Sequence, residues 1–149
     1  MKVSKYMTRK LITTSPDMSV KDAFLIMRTH RVRHLPVVDG DKLVGIISDR
    51  DLRRPKWADT VDDWTSYYQI DDDIAVRDVM TASPEVVRTY DKILRAVSIF
   101  REQRYGALPV LDKAGDLVGI LSAQDLLLAL EEFLVDPGTD KKSRKKSNS

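Results

Sequence analysis

One pattern occurs twice in this chain: Gly45-Ile46-Ile47-Ser48-Asp49-Arg50-Asp51 and Gly119-Ile120-Leu121-Ser122-Ala123-Gln124-Asp125. A serine three residues ahead of an aspartate at a helix start is a capping arrangement. The hydroxyl oxygen accepts the N3 amide, and the carboxylate sits at the positive end of the helix dipole. The same groups can also do ligand chemistry. A helix N-terminus with free amides and a small hydroxyl takes an anion such as phosphate. A carboxylate one turn on accepts hydrogen bonds from a vicinal diol, as on ribose. The glycine admits close approach of another group, and apolar strands on either side can sandwich a flat base. Phosphate, ribose and adenine are all accommodated by one such unit.

Catalysis is a poorer reading of these residues. The chain has two histidines, His30 and His34, and neither stands at a recognisable spacing from a nucleophile. No phosphate-binding Gly-x-x-x-x-Gly-Lys loop or Gly-x-Gly-x-x-Gly turn is present. No metal-ligand cluster is evident, and there is no cysteine for thiolate or disulfide chemistry. Two symmetric Ser/Asp pairs suit two binding sites better than one reaction centre. The chain is read as not an enzyme, with no obligatory cofactor.

The elements that must position these motifs repeat with them. Leu35-Pro36-Val37-Val38-Asp39 returns as Leu108-Pro109-Val110-Leu111-Asp112, and Val3…Met7-Thr8 returns as Val76…Met80-Thr81. The offset is 73 up to Asp39/Asp112 and 74 from Leu43/Leu117 on. Each copy reads strand, helix, strand, strand, helix. In the first, Leu11 to Thr14 is a short strand. Ser19 caps a helix with Asp22 three residues on. Val20, Ala23, Phe24, Ile26 and Met27 form its apolar face. Leu35–Val38 and Lys42–Ile47 are strands joined at Asp39-Gly40, a hairpin signal. A short helix runs from Ser48 to before Pro55. In the second copy, Asp91 is the expected cap and Ile93, Ala96, Val97 and Phe100 the buried face. Val110-Leu111 and Leu117–Leu121 are strands, and a last helix runs from Ala123 towards Val135. This predicts an α+β fold of two β-α-β-β-α repeats about a pseudo-two-fold axis. The expected division is repeat 1 over 1–54, a linker over 55–74, repeat 2 over 75–136 and a tail over 137–149.

At 149 residues, 42% hydrophobic and 32% charged, the chain has the length and composition of one compact body. The linker concentrates Trp57, Trp64, Tyr67 and Tyr68 among aspartates that lack the spacing of a calcium loop. The net charge of +2 conceals an acidic body, because Lys141, Lys142, Arg144, Lys145 and Lys146 lie in the basic tail. That tail reads as disordered and solubilising, and nucleic acid is not expected as a partner. No run approaches the roughly 20 apolar residues of a membrane span, and the N-terminus lacks a signal-like stretch. The expected compartment is the cytoplasm. The last helix is apolar on most sides, at Leu126, Leu127, Leu128, Leu130, Phe133 and Leu134, which predicts a helix-mediated homodimer.

Met-Thr at each start, Leu-Pro-Val-apolar-Asp, and Gly-apolar-apolar-Ser-x-x-Asp, in that order and twice, resemble the cystathionine-β-synthase (CBS) domain. Two in tandem resemble the stand-alone bacterial and archaeal CBS pair, including the acetoin-utilisation type. The resemblance covers Val3 to Val135. It implies a regulatory module that senses AMP, ADP, ATP or another adenosyl ligand between the repeats and signals to a separate effector protein. The competing reading is a structural dimerisation module with degenerate ligand binding. The resemblance implies two quasi-equivalent clefts. One would join Ser48 and Asp51 to Ser83, Pro84 and Glu85 and to Tyr105, Gly106 and Ala107. The other would join Ser122 and Asp125 to Lys10, Leu11 and Ile12 and to Val32, Arg33 and His34. Arg33, His34 and Lys10 make the second the better site for phosphates. The first carries Glu85 and must draw a cation from Arg50, Arg53 or Arg54.

Overall fold

The computed structural model describes residues 1–53 and 74–135; the linker readings before Ile74 and those on the tail lie outside the described residues. The chain opens on a one-turn helix, α1 (Val3–Tyr6). Then come α2 (Val20–His30), β1 (His34–Asp39), β2 (Lys42–Ser48) and α3 (Asp49–Arg53). The second copy supplies α4 (Val76–Val79), β3 (Thr81–Ala82), β4 (Val87–Arg88), α5 (Ile93–Gln103), β5 (Ala107–Leu111), β6 (Leu117–Ser122) and α6 (Ala123–Val135).

Local chemistry accounts for these boundaries. The Ser19 hydroxyl accepts the Asp22 amide at 3.1 Å and starts α2. The helix buries Val20, Ala23 and Met27 and stops at Arg31, which is left-handed at φ 55°. The Val32 amide then reaches back to Met27 O at 3.0 Å, a Schellman-type closure. Helix α5 also ends on a left-handed residue, Arg104, φ 54°. Its start departs from expectation. The N-cap is Lys92, the counterpart of Ser19, and no side chain caps it. Asp91 lies one residue too early; it accepts the Arg88 amide at 2.8 Å instead. Gly40, at φ 61°, makes the tight turn that pairs Asp39 with Lys42.

The two copies form two three-stranded sheets, β1-β2-β3 and β4-β5-β6. Both hairpins are antiparallel and carry a register shift at the same place, Val37/Val38 and Val110/Leu111. Parallel pairing of β4 with β5 has its counterpart in the single bridge Thr14–Val37, all that forms of the strand expected at Leu11–Thr14.

One edge of each sheet meets a segment of the other copy. Thr81 and Ala82 pair with Ile46 and Gly45 of the first copy, while Thr8 bridges Ile120 of the second. Val3 and Met7 are buried in the second core with Leu108, Val110 and Leu121. Val76 is buried in the first core with Leu35, Val37 and Ile47. Burying a valine fully is worth about 1.5–3 kcal/mol, so each copy's opening segment is firmly held by its neighbour. The packing boundary therefore differs from the 1–54 and 75–136 sequence boundary. The glycines of the repeated motif make the exchange possible. A Cβ on Gly119 would stand 2.8 Å from Thr8 O, and one on Gly45 would stand 2.9 Å from Thr81 O. What these glycines admit is the other copy's Met-Thr pair, the threonine carbonyl together with the methionine side chain.

Candidate functional site

At both motifs serine and aspartate cap one another. The Ser122 amide donates to Asp125 Oδ2 at 2.8 Å, and the Asp125 amide donates to Ser122 Oγ at 3.2 Å. At Ser48 and Asp51 the corresponding distances are 2.9 and 3.1 Å. Two of the three first-turn amides at each motif are taken, more than expected. Besides the capped Asp125 amide, that of Ala123 donates to Gly106 O at 3.1 Å, and that of Asp49 to Arg33 O at 2.8 Å. An anion here depends on cationic side chains more than on the helix end. Capping leaves two groups able to meet a ligand. Ser122 accepts through its oxygen and keeps its O–H proton to donate. Asp125 Oδ1 lies 3.5 Å from Thr8 Oγ1, so a carboxylate oxygen and a hydroxyl from the two copies stand side by side. Such a pair fits a vicinal diol, which both donates and accepts.

These groups line a cleft of about 650 Å³. The first copy contributes Thr8, Lys10, Leu11, Ile12, Arg31, Val32, Arg33, His34 and Pro36; the second contributes Gly106, Ile120, Ser122, Ala123, Gln124 and Asp125. Every residue expected with Ser122 and Asp125 is gathered here. Thr8 is held by its bridge to Ile120, and the chain then leaves the sheet so that Lys10–Ile12 form one wall. Arg31, Val32 and Arg33 span the turn from α2 into β1. Leu11, Ile12, Val32, Pro36 and Ile120 supply apolar surface, while Lys10, Arg31 and Arg33 supply positive charge against one carboxylate.

His34 sits between the two motifs. On β1 it pairs with Ser48. Its Nε2 lies 2.5 Å from where a Cβ on Gly106 would be, so the absence of a side chain there leaves room for the ring. Burial pushes the imidazole below its ordinary 6.5; Asp49 and Asp51 oppose this, and Arg33 adds to it. His30 lies exposed on α2, as read from the sequence.

Of the residues expected around Ser48 and Asp51, Gly106 lies against His34, the ladder partner of Ser48. Ser83 and Pro84 line a second cleft, of about 630 Å³, with Asp39, Asp41, Lys42, Leu43 and Leu117; neither Ser48 nor Asp51 lines it. The cause is main-chain pairing. Thr81 and Ala82 run two residues along β2, and the Ser83 amide continues to Val44 O at 3.2 Å, away from Ser48. Ser83 then turns at φ 47°, whereas Lys10, its counterpart, has no left-handed φ. Glu85 is exposed, Tyr105 packs against the second core, Ala107 is buried and Gly106 belongs to the Ser122 cleft.

Thr8, Arg31 and Gln124 line the Ser122 cleft beyond the residues expected from sequence. Thr8 was visible as half of a repeated Met-Thr, but the exchange that carries it to Asp125 leaves no local signal. Arg31 stands two residues before Arg33, and its left-handed cap turns it into the same wall.

The family model of the CBS domain matches residues 3–55 and 76–132. The chain belongs to the CBS domain family. A CBS domain-containing protein of Dictyostelium discoideum is 32% identical over 137 residues, covering 89% of this chain and 92% of that protein. The inosine-5'-monophosphate dehydrogenase of Thermoplasma acidophilum is 38% identical over 119 residues, 80% of this chain. The chain spans only about a fifth of that enzyme's length (21%). The CBS-pair protein CBSX2 of Arabidopsis thaliana superposes with a TM-score of 0.76 at 32% identity, over 89% of this chain and 95% of that one. CBSX2 in complex with AMP superposes at 0.68 with 31% identity, over 89% of this chain and 97% of that one. Among the described residues no helix is long and apolar enough to cross a membrane.

Proposed function

We propose that this CBS pair is a non-catalytic regulatory module that holds an adenosine nucleotide in the Ser122 cleft and reports occupancy to a separate protein. The observation that carries the reading is the convergence of three chemistries in one cleft. Asp125 Oδ1 stands beside Thr8 Oγ1 for a diol, the Ser122 hydroxyl keeps a proton to donate, and Lys10, Arg31 and Arg33 wait for phosphate. The AMP complex of CBSX2, 31% identical, supports the ligand class. AMP, ADP and ATP are all candidate ligands, and the module needs no other cofactor. The cation count favours ADP or ATP. Lys10, Arg33 and His34 favour the Ser122 cleft over the Ser48 cleft for a multiply charged ligand. The cysteine-free sequence fits work in the cytoplasm.

A dimerisation role is favoured by a separate observation. Leu127, Leu130 and Leu134 form an i, i+3, i+7 stripe on α6 and are 58%, 50% and 67% exposed. We read this face as the contact of a homodimer, which is compatible with nucleotide binding. Thermal shift across AMP, ADP, ATP, NAD and S-adenosylmethionine tests the main reading. A ligand at 100 times its dissociation constant raises stability by about 2.7 kcal/mol. Stabilisation by adenosine nucleotides and not by GTP supports it. No shift with any adenosyl ligand, confirmed by calorimetry, leaves the dimerisation module.

A further inference from the structure

We infer that His34 makes the Ser122 cleft selective for ligand charge by taking up a proton when a nucleoside polyphosphate binds. The inference rests on reading that cleft as a nucleotide site and adds its regulation. Four observations carry it. His34 lines the cleft, together with Arg33, Lys10 and Arg31. Its ring occupies space left by Gly106, held between β1 and the second copy, so it does not swing freely into solvent. Its counterpart in the second copy is Ala107, a buried side chain that cannot titrate. Burial keeps the free imidazole short of its proton.

The charges facing His34 set the sign. On its own strand entry stands Arg33; from α3 come Asp49 and Asp51. Across the cleft are Lys10 and Arg31 from the first copy and Asp125 from α6. In the free protein, burial and Arg33 outweigh the two α3 carboxylates, and the ring is neutral near pH 7. A diphosphate brings several negative charges into the same cleft, where water is partly excluded and interactions are strong. That field favours imidazolium. Linkage is reciprocal: a ligand that raises the His34 pKa binds the protonated protein more tightly. Each unit of rise is a tenfold gain in affinity at pH below both midpoints, and less between them. Adenosine carries no phosphate and leaves the equilibrium where it was. The cleft thus holds ADP more tightly as pH falls, by an amount set by one residue.

The test uses the full chain, whose two histidines give two imidazole signals in NMR. His30→Gln leaves the His34 signal alone and so assigns it. Expected in the free protein is a His34 midpoint below the ordinary imidazole 6.5. With saturating ADP the His34 midpoint rises by about one unit and with adenosine it stays. Calorimetry gives a second readout. From pH 6 to pH 8 the wild-type affinity for ADP falls about three- to fivefold more than that of His34→Gln. The nucleotide's own terminal phosphate titrates in this range but acts equally on both proteins and cancels in the ratio. If ADP shifts the amides of Ser122 and Gly106 yet leaves the His34 midpoint unmoved, the proton coupling is overturned and the nucleotide site stands. If ADP moves none of those amides, both fall.

Discussion

Asp125 is the residue at which capping and ligand binding can be pulled apart. Its Oδ2 accepts the Ser122 amide at 2.8 Å, and its Oδ1 faces Thr8 Oγ1 at 3.5 Å. Asp125→Ala removes both. The lost cap and dipole interaction cost about 1–2 kcal/mol of folding stability. For a chain of this size that lowers Tm by about 2–4 °C per kcal/mol. Asp125→Asn keeps an oxygen for the Ser122 amide and loses only charge, so its stability cost is about 0.3–1 kcal/mol. On the ligand side a charge-assisted hydrogen bond is worth about 1.5–3 kcal/mol. Both variants therefore lose about ten- to a hundredfold in nucleotide affinity, at 1.4 kcal/mol per tenfold.

Asp51 is the matched control. It makes the same reciprocal cap, at 2.9 and 3.1 Å, on the motif expected to be the weaker phosphate site. Asp51→Asn shows a similar small stability loss and near wild-type affinity. Calorimetry with ADP and thermal denaturation on the same preparations give both numbers. Wild-type affinity in Asp125→Asn refutes the diol assignment and leaves the carboxylate as a cap alone. Equal affinity losses at Asp51 and Asp125 refute the ranking of the clefts.

Four further outcomes follow from the same geometry. Gly119→Ala forces a Cβ to within 2.8 Å of Thr8 O and is expected to cost about 1–3 kcal/mol in chemical denaturation, while Gly40→Asn, at a left-handed turn with open space around it, stays near wild type. Arg33→Ala weakens ATP more than adenosine, and added salt narrows the difference; equal losses mean that Arg33 supports the cleft's fold and not the phosphate. In the free chain the folded pKa of His34 lies below the unfolded 6.5, so its neutral form contributes stability that is complete above 6.5 and is lost as pH falls through 6.5 towards the folded value; wild type minus His34→Gln stability must fall in that direction. Leu127→Asp combined with Leu134→Asp converts a species of twice the 17.0 kDa chain mass to a monomer in light scattering, and a wild type already monomeric at micromolar concentration removes the dimer.

The duplication was legible because its signals are local. Apolar spacing marked α2 and α5, Asp39-Gly40 marked a hairpin, and the repeated Leu-Pro-Val and Gly-apolar-apolar-Ser runs marked the paired strands. The Ser122 cleft was legible for a related reason: its residues come from motifs that each copy states in sequence. Asp91 was misread because acid residues near a helix start favour several positions, and only the alignment of Lys92 with Ser19 selects among them. The exchange of Val3 and Val76 between cores was not legible, since an apolar residue carries no mark of which apolar face it will meet.

Asymmetry between the two motifs is decided by groups that sequence does not distinguish. Backbone amides and carbonyls are the same in every residue, yet they determine where Ser83 goes. Two ladder pairs, Gly45–Ala82 and Ile46–Thr81, followed by the Ser83 amide on Val44 O, keep the second copy's chain against the sheet edge. The first copy makes only the Thr8–Ile120 bridge before its chain departs, and Lys10, Leu11 and Ile12 fall into the cleft. The side chains then reinforce what the backbone began. Arg33 corresponds to Gly106 and His34 to Ala107, so the copy that supplies the wall also supplies the charge. Gly106 also leaves room for the His34 ring. One set of substitutions therefore places Arg33 and His34 in the Ser122 cleft where the second copy carries Gly106 and Ala107.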